Sequence, residues 1–262
     1  MMYRKTATYI DPAALAQKLR IEADGGSIIN FWRMNKVIAT LREMRVLTSC
    51  LAYTDVGIAV KKNGSNLVEK VYDISGNNRD NYQTILAYKP LYAIDSDASS
   101  LNFDGVDDCL CFADSSIIQR KNALTLITKV KILGLSNCIT IGALPSGQVL
   151  RINRNNLVLP AVDNDWYAAG TTVKAVNQLE SLASYIFTFD GSYRRSYTNG
   201  IYTEISTPAT TGATKALLFG VSFLIGAQDY SGTAYLRGQI NNITVFDIAL
   251  TQSQITVINN IL

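Results

Sequence analysis

The chain has 262 residues, 48% hydrophobic and 17% charged, enough apolar content to bury a sizeable core in one large domain, or in one domain with a small appendage. Its net charge of +3 is spread over Lys and Arg residues that never run longer than two in a row, which gives no electrostatic argument for nucleic acid. The absence of histidine excludes His-based triads and Cys/His zinc sites. No apolar run approaches the length of a membrane span, and the opening residues Met1-Met-Tyr-Arg-Lys5 lack the apolar block of a signal peptide, so neither membrane nor export is expected.

Asp11-Pro12 predicts a first helix, with Asp as the cap and Pro in the first turn, where its missing N–H is not needed. Leu15, Leu19 and Ala23 fall on one stripe, and Asp24-Gly25-Gly26 ends the segment. Ser27 is the predicted cap of a second helix over 27–47. There Phe31, Met34, Ile38, Leu41 and Met44 recur at three and four, an amphipathic stripe assigned here to assembly, against the rest of the chain or an identical neighbour. Its opposite face is mixed in charge, unlike a membrane-surface helix. Residues 1–50 carry eight Lys/Arg against four Asp/Glu, the more basic part of the chain. Strand periodicity follows over 50–72, with Lys62-Asn63-Gly64 as a hairpin turn. The expected organisation is an anchoring helical region, 1–69, ahead of a β domain, 70–262.

The stretch 101–112 alternates apolar and polar residues on both sides of Asp104-Gly105, which tolerates positive φ, and it predicts a tight hairpin. Further strands are predicted over 124–132, 138–141, 149–152, 157–159, 184–189, 195–198, 201–205, 217–219, 223–226, 235–239 and 243–246. Thr198-Asn199-Gly200-Ile201 is the sharpest of the later turns. A short helix over 251–258 is capped by Thr251. Many short strands with no helices between them predict a mainly β, two-sheet antiparallel sandwich.

Four pieces resemble the LamG-like jelly rolls of the concanavalin A-like lectin/glucanase superfamily. Phe103-Asp-Gly-Val-Asp-Asp108 is similar to the FDGxDD signature, and Asp73-Ile-Ser-Gly-Asn-Asn78 to an upstream D-x-S-G-N segment. Leu224-Ile-Gly-Ala227 resembles an "IGA" strand, and 240–255 the closing strand and turn. The resemblance implies a jelly-roll sandwich over residues 70–262, preceded here by the short N-terminal helical region. LamG-like domains often hold calcium, for which Asp104, Asp107 and Asp108 are the candidate ligands; the alternative is that these acids only cap the turn, and no cofactor is otherwise expected. Glucan-cutting enzymes of this fold carry clustered acids of the form E-x-D-x-E. The five glutamates here, Glu22, Glu43, Glu69, Glu180 and Glu204, make no such cluster, so no enzymatic activity is expected.

The helical lead running into the D-x-S-G-N segment resembles virion proteins of tailed bacteriophages. This implies a structural component of the particle, a capsid decoration, head fibre or tail-associated protein, made in the host cytoplasm and located in the virion. Its expected partners are other virion proteins, further copies of itself in a homo-oligomer, and surface glycans. The alternative is a free carbohydrate-binding lectin domain that depends on calcium. Candidate glycan contacts are the acidic loop with Asp163 and Asp165 beside Trp166 and Tyr167, together with Tyr193 and Tyr230, because rings cover apolar sugar faces while acids bond hydroxyls. Cys109 and Cys111 lie on one strand facing the same way, a poor geometry for bonding each other, and Cys50 and Cys138 are isolated. All four are expected to be thiols in a reducing compartment.

Overall fold

The computed structural model describes residues 9–95, 98–112, 123–133, 138–144, 149–154, 162–167, 181–206, 222–227 and 235–262. It opens with helix α1 (Pro12–Ala23), strand β1 (Ser27–Ile28) and helix α2 (Phe31–Glu43), followed by β2 (Cys50–Asp55), β3 (Ala59–Lys62), β4 (Val68–Val71) and β5 (Asn81–Tyr82). Then come β6 (Leu91–Asp95), β7 (Ala98–Asp104), β8 (Leu110–Phe112), β9 (Leu124–Ile132), β10 (Cys138–Leu144), β11 (Val149–Arg154) and β12 (Val162–Tyr167). The last elements are β13 (Ala183–Phe189), β14 (Arg194–Thr198), β15 (Ile201–Ser206), β16 (Ser222–Ile225), β17 (Arg237–Phe246) and helix α3 (Gln252–Asn259). The strands form two antiparallel sheets, the mainly β sandwich that the periodicity predicts.

One sheet has nine strands, in the order β1-β3-β4-β5-β8-β16-β10-β11-β12. The other has eight: β15-β14-β13-β9-β17-β7-β6, with β2 also on β17. β17 is long enough that β7 pairs with its first half, Arg237 to Ile240, and β2 with its second, Asn242 to Phe246.

A third layer covers the eight-stranded sheet. On its inner face Leu126, Val130, Tyr185 and Phe187 join Val60, Val71, Leu110 and Ile225 of the opposite sheet in one core. On its outer face Ile127, Ile186, Tyr197 and Phe246 join Met34, Ile38 and Leu41 of α2 and Ile255 and Ile258 of α3 in a second. Burial on both faces explains why every residue of β13 is buried. Each fully buried Leu, Ile or Met side chain contributes about 1.5–3 kcal/mol, so the outer core is a substantial part of the stability.

Several local expectations change. Asp11 does cap α1, its side chain accepting from the Ala13 N–H, but α1 buries Ala14, Gln17 and Ile21 and leaves Leu15 and Leu19 outside. Ser27 does not cap a helix: with Ile28 it forms β1 against β3, and Asn30 caps α2 by accepting from Arg33. Two consecutive β-branched residues after Ser27 favour the extended chain, and the next cap-forming side chain takes over. Met34, Ile38 and Leu41 are wholly buried within the chain, with Phe31 and Met44 packed against the same core. They hold α2 to the sandwich, so of the two partners expected for this stripe it is the rest of the chain that Met34, Ile38 and Leu41 meet. The boundary expected between residues 69 and 70 falls inside β4, and chain on both sides of it builds the same sheets.

The stretch 101–112 is not a hairpin. β7 belongs to the eight-stranded sheet and β8 to the nine-stranded one, so the turn carries the chain across the sandwich. Alternation and turn chemistry mark strands and reversals, but they do not say which strand each will pair with. The Asn199-Gly200 turn does close a hairpin, with Thr198 opposite Ile201 and both turn residues at positive φ.

Candidate functional site

The corner between β7 and β8 is built by its own acids. Asp104 Oδ1 accepts from the Val106 and Asp107 N–H groups, and Asp108 Oδ2 from the Asp104 N–H at 3.0 Å. Gly105 takes φ +84°, and a Cβ there would meet Arg237 Cβ at 2.9 Å, so only glycine fits. Burial, with Asp104 and Asp107 adding like charge, pushes the Asp108 carboxyl up to about 7 against the bond it accepts. Carboxylate oxygens of the three acids lie within 4.8 Å of one another. This oxygen-only set suits a hard divalent cation such as calcium, which would offset the like charges of the three acids, and the oxygens not bonded to the turn are the ones that could hold it.

The D-x-S-G-N segment is a latch. Buried Asp73 accepts from the N–H groups of Tyr53, Ser75 and Arg79 and from the Ser75 hydroxyl. Asn77 donates to the carbonyls of Cys50 and Leu51. These bonds tie the loop to β2, so its polar residues are consumed by the fold.

The predicted glycan contacts that lie among the described residues fall on both sheets. Asp163, Asp165, Trp166 and Tyr167 lie on β12, a strand paired with β11 rather than the expected loop, at one edge of the nine-stranded sheet. Tyr193 is exposed beside the other sheet, in a turn organised by Asp190, with the Arg195 guanidinium 5.3 Å from its ring centre. Tyr230 lies outside the described residues, as do the predicted strands 157–159 and 217–219. Cys50, Cys109 and Cys111 are outside any disulfide, and burial raises Cys109 to about 12.

Register brings together residues that the sequence reading did not single out. Lys61 on β3, Lys70 on β4, Tyr82 on β5 and Cys111 on β8 are successive cross-strand partners. A cleft of about 490 Å³ lies over Lys61, Lys70 and Tyr82, lined also by Glu69, Asp80 and Lys89. Its charges are paired: Lys89 to Glu69 at 2.9 Å, Lys70 to Asp24 at 2.8 Å, and Arg20 to both oxygens of Asp80. Tyr82 presents an exposed ring among them.

No curated protein sequence matches the chain. Among solved structures it is similar to Trypanosoma rangeli sialidase bound to 2,3-difluoro-KDN (TM-score 0.54, 15% identity), covering 87% of this chain and 39% of that one, so it spans about two fifths of the sialidase's length. It is also similar to the binding domain of Paraclostridial Mosquitocidal Protein 1 (TM-score 0.58, 10% identity, 82% and 52% covered). A third likeness is to domain 4 of AbnA, an extracellular arabinanase from Geobacillus stearothermophilus, in complex with arabinotriose (TM-score 0.53, 18% identity, 80% and 98% covered). At these identities the likeness is one of fold. Residues 104–256, more than half of the chain, match the Laminin_G_3 family model. That match begins at the acidic corner and runs through β17 into α3, and by it the chain belongs to the Laminin_G_3 family of the concanavalin A-like lectin/glucanases superfamily.

Proposed function

We propose that the protein is a non-enzymatic structural component of a tailed-bacteriophage particle, a capsid decoration, head fibre or tail-associated protein, whose sandwich attaches to surface glycans. The observation that carries this reading is the helical layer. α1 and α2 are fused to the sandwich through the outer core, yet they present Leu15 and Leu19 at 46% and 60% exposure and Trp32 at 54%. Large apolar side chains held outward by a rigid layer support docking to a second copy of the chain. Asp104, Asp107 and Asp108 would hold calcium, which would neutralise and brace the corner.

Light scattering on the purified chain tests the proposal. The expected result is an oligomer that Leu15→Ser with Leu19→Ser converts to monomer while the circular dichroism spectrum is unchanged. A wild-type protein that stays monomeric at high concentration, or one that degrades polysaccharide, overturns it.

A second reading, a free lectin domain, is favoured by the exposed Tyr82 ring in its open polar cleft. It predicts a monomer that binds glycans only with calcium present.

A further inference from the structure

We infer that the notch between the β14–β15 turn and α3 is a binding site for an uncharged saccharide, an inference that rests on the attachment role proposed above. The notch measures about 450 Å³, within the range of small-ligand sites. Asn199, Tyr202, Gln252, Thr256, Asn259 and Asn260 line it, with Gly200 and Ile201, and none of these residues carries a charge.

Side-chain amides both donate and accept, which matches sugar hydroxyls that do the same, and an aromatic ring covers the apolar face of a sugar. A carboxylated or phosphorylated sugar would find no cation here to offset its desolvation. Four amides, a hydroxyl and an aromatic ring with no ion among them therefore select a neutral ligand.

The site is built before any ligand arrives. Asn199 and Gly200 hold positive φ, and a Cβ on Gly200 would lie 3.2 Å from Asn259 Cβ, so the helix approaches the turn closely. Gln252 Nε2 donates to the Gly200 carbonyl at 2.8 Å, the Ser184 hydroxyl donates to Asn259 Oδ1, and Asn199 Oδ1 accepts from the Ser184 N–H. Buried Ile255 and Ile258 and a capping box at Thr251 fix α3. Tyr202, 46% exposed, is propped edge-on by Tyr197 with ring centres 5.6 Å apart. Among the described residues, these bonds leave Asn199 Nδ2, Asn259 Nδ2, Gln252 Oε1 and the whole Asn260 amide open to a ligand. Rigid elements that hold unspent polar atoms lower the ordering cost of binding.

The test is a glycan array probed with the full chain, carrying neutral oligosaccharides of glucose, galactose and arabinose beside sialylated and uronate-containing ones. Calorimetry on the best neutral ligand then compares wild type with Tyr202→Ala and with Asn260→Asp, an exposed change that keeps the side chain's shape. The expected result is binding to neutral glycans and a loss of at least about tenfold in each variant, with thermal stability nearly unchanged. Neutral-glycan binding that both variants retain sinks this site but leaves the attachment role standing. Binding restricted to acidic glycans also sinks the site. No glycan binding at all overturns the site together with the glycan half of the proposed role, while the oligomer measured by light scattering still decides the assembly half.

Discussion

The two sheets turn opposite kinds of outer face outward. That of the eight-stranded sheet is apolar and sealed by α2 and α3, whereas that of the nine-stranded sheet, around β3, β4 and β5, is a row of Lys61, Lys70 and Tyr82 under an open cleft. The difference shows that the helical lead is a third layer of the domain and not a tether hung from it. It also shows where the second core comes from: the eight-stranded sheet is buried on both faces, while the row at β3, β4 and β5 stays open to solvent.

Substitutions sharpen or break this contrast. Ile38→Ala removes a fully buried side chain from the sealed face, at a cost of about 2–5 kcal/mol, and chemical denaturation should show the sandwich and helices unfolding in one weakened transition. Two separate transitions, with the sandwich unaffected, would mean that the layer is dispensable.

At the corner between the sheets, Asp108 is held up to about 7 from an ordinary 3.8. Between about pH 4 and 7 the folded chain therefore keeps a proton that the unfolded chain has released, and stability falls as pH rises through that window. Asp108→Asn should remove that loss, on the order of 3 kcal/mol by pH 7, while still accepting the Asp104 N–H bond. Melting curves from pH 4 to 8 without divalent cations read this directly, and an equal slope in both proteins refutes it.

The smallest effect is expected on the open face, where Tyr82→Ala should change stability by no more than about 0.5 kcal/mol. A larger loss would show that this face also carries the fold.

The fold was legible where local chemistry decides it. Asp11-Pro12, Thr251 and Asn199-Gly200 act through bonds to near neighbours, so caps and turn appear where the residues predict them. Strand partners were not legible, because the same alternation serves a hairpin or a crossing, and the stretch at 101–112 turned out to be a crossing. Nor was burial of a sheet on both faces: Thr125, Thr128, Thr188 and Ser196, polar in sequence, are all buried in it. The acidic corner was visible as a turn with three carboxylates. The Lys61–Lys70–Tyr82 row and the amide notch were not, since each is assembled by pairing or packing of segments separated along the chain.

β17 receives β7 and β2 end to end along one edge, and the Thr54 hydroxyl donates to the Ile243 carbonyl across 189 positions of sequence. A ribosome delivers β2 long before it delivers β17. The early segments must therefore wait with their apolar surface unsatisfied until β17 emerges, and pairing over so long a stretch of sequence should make the final closure of the sheet slow.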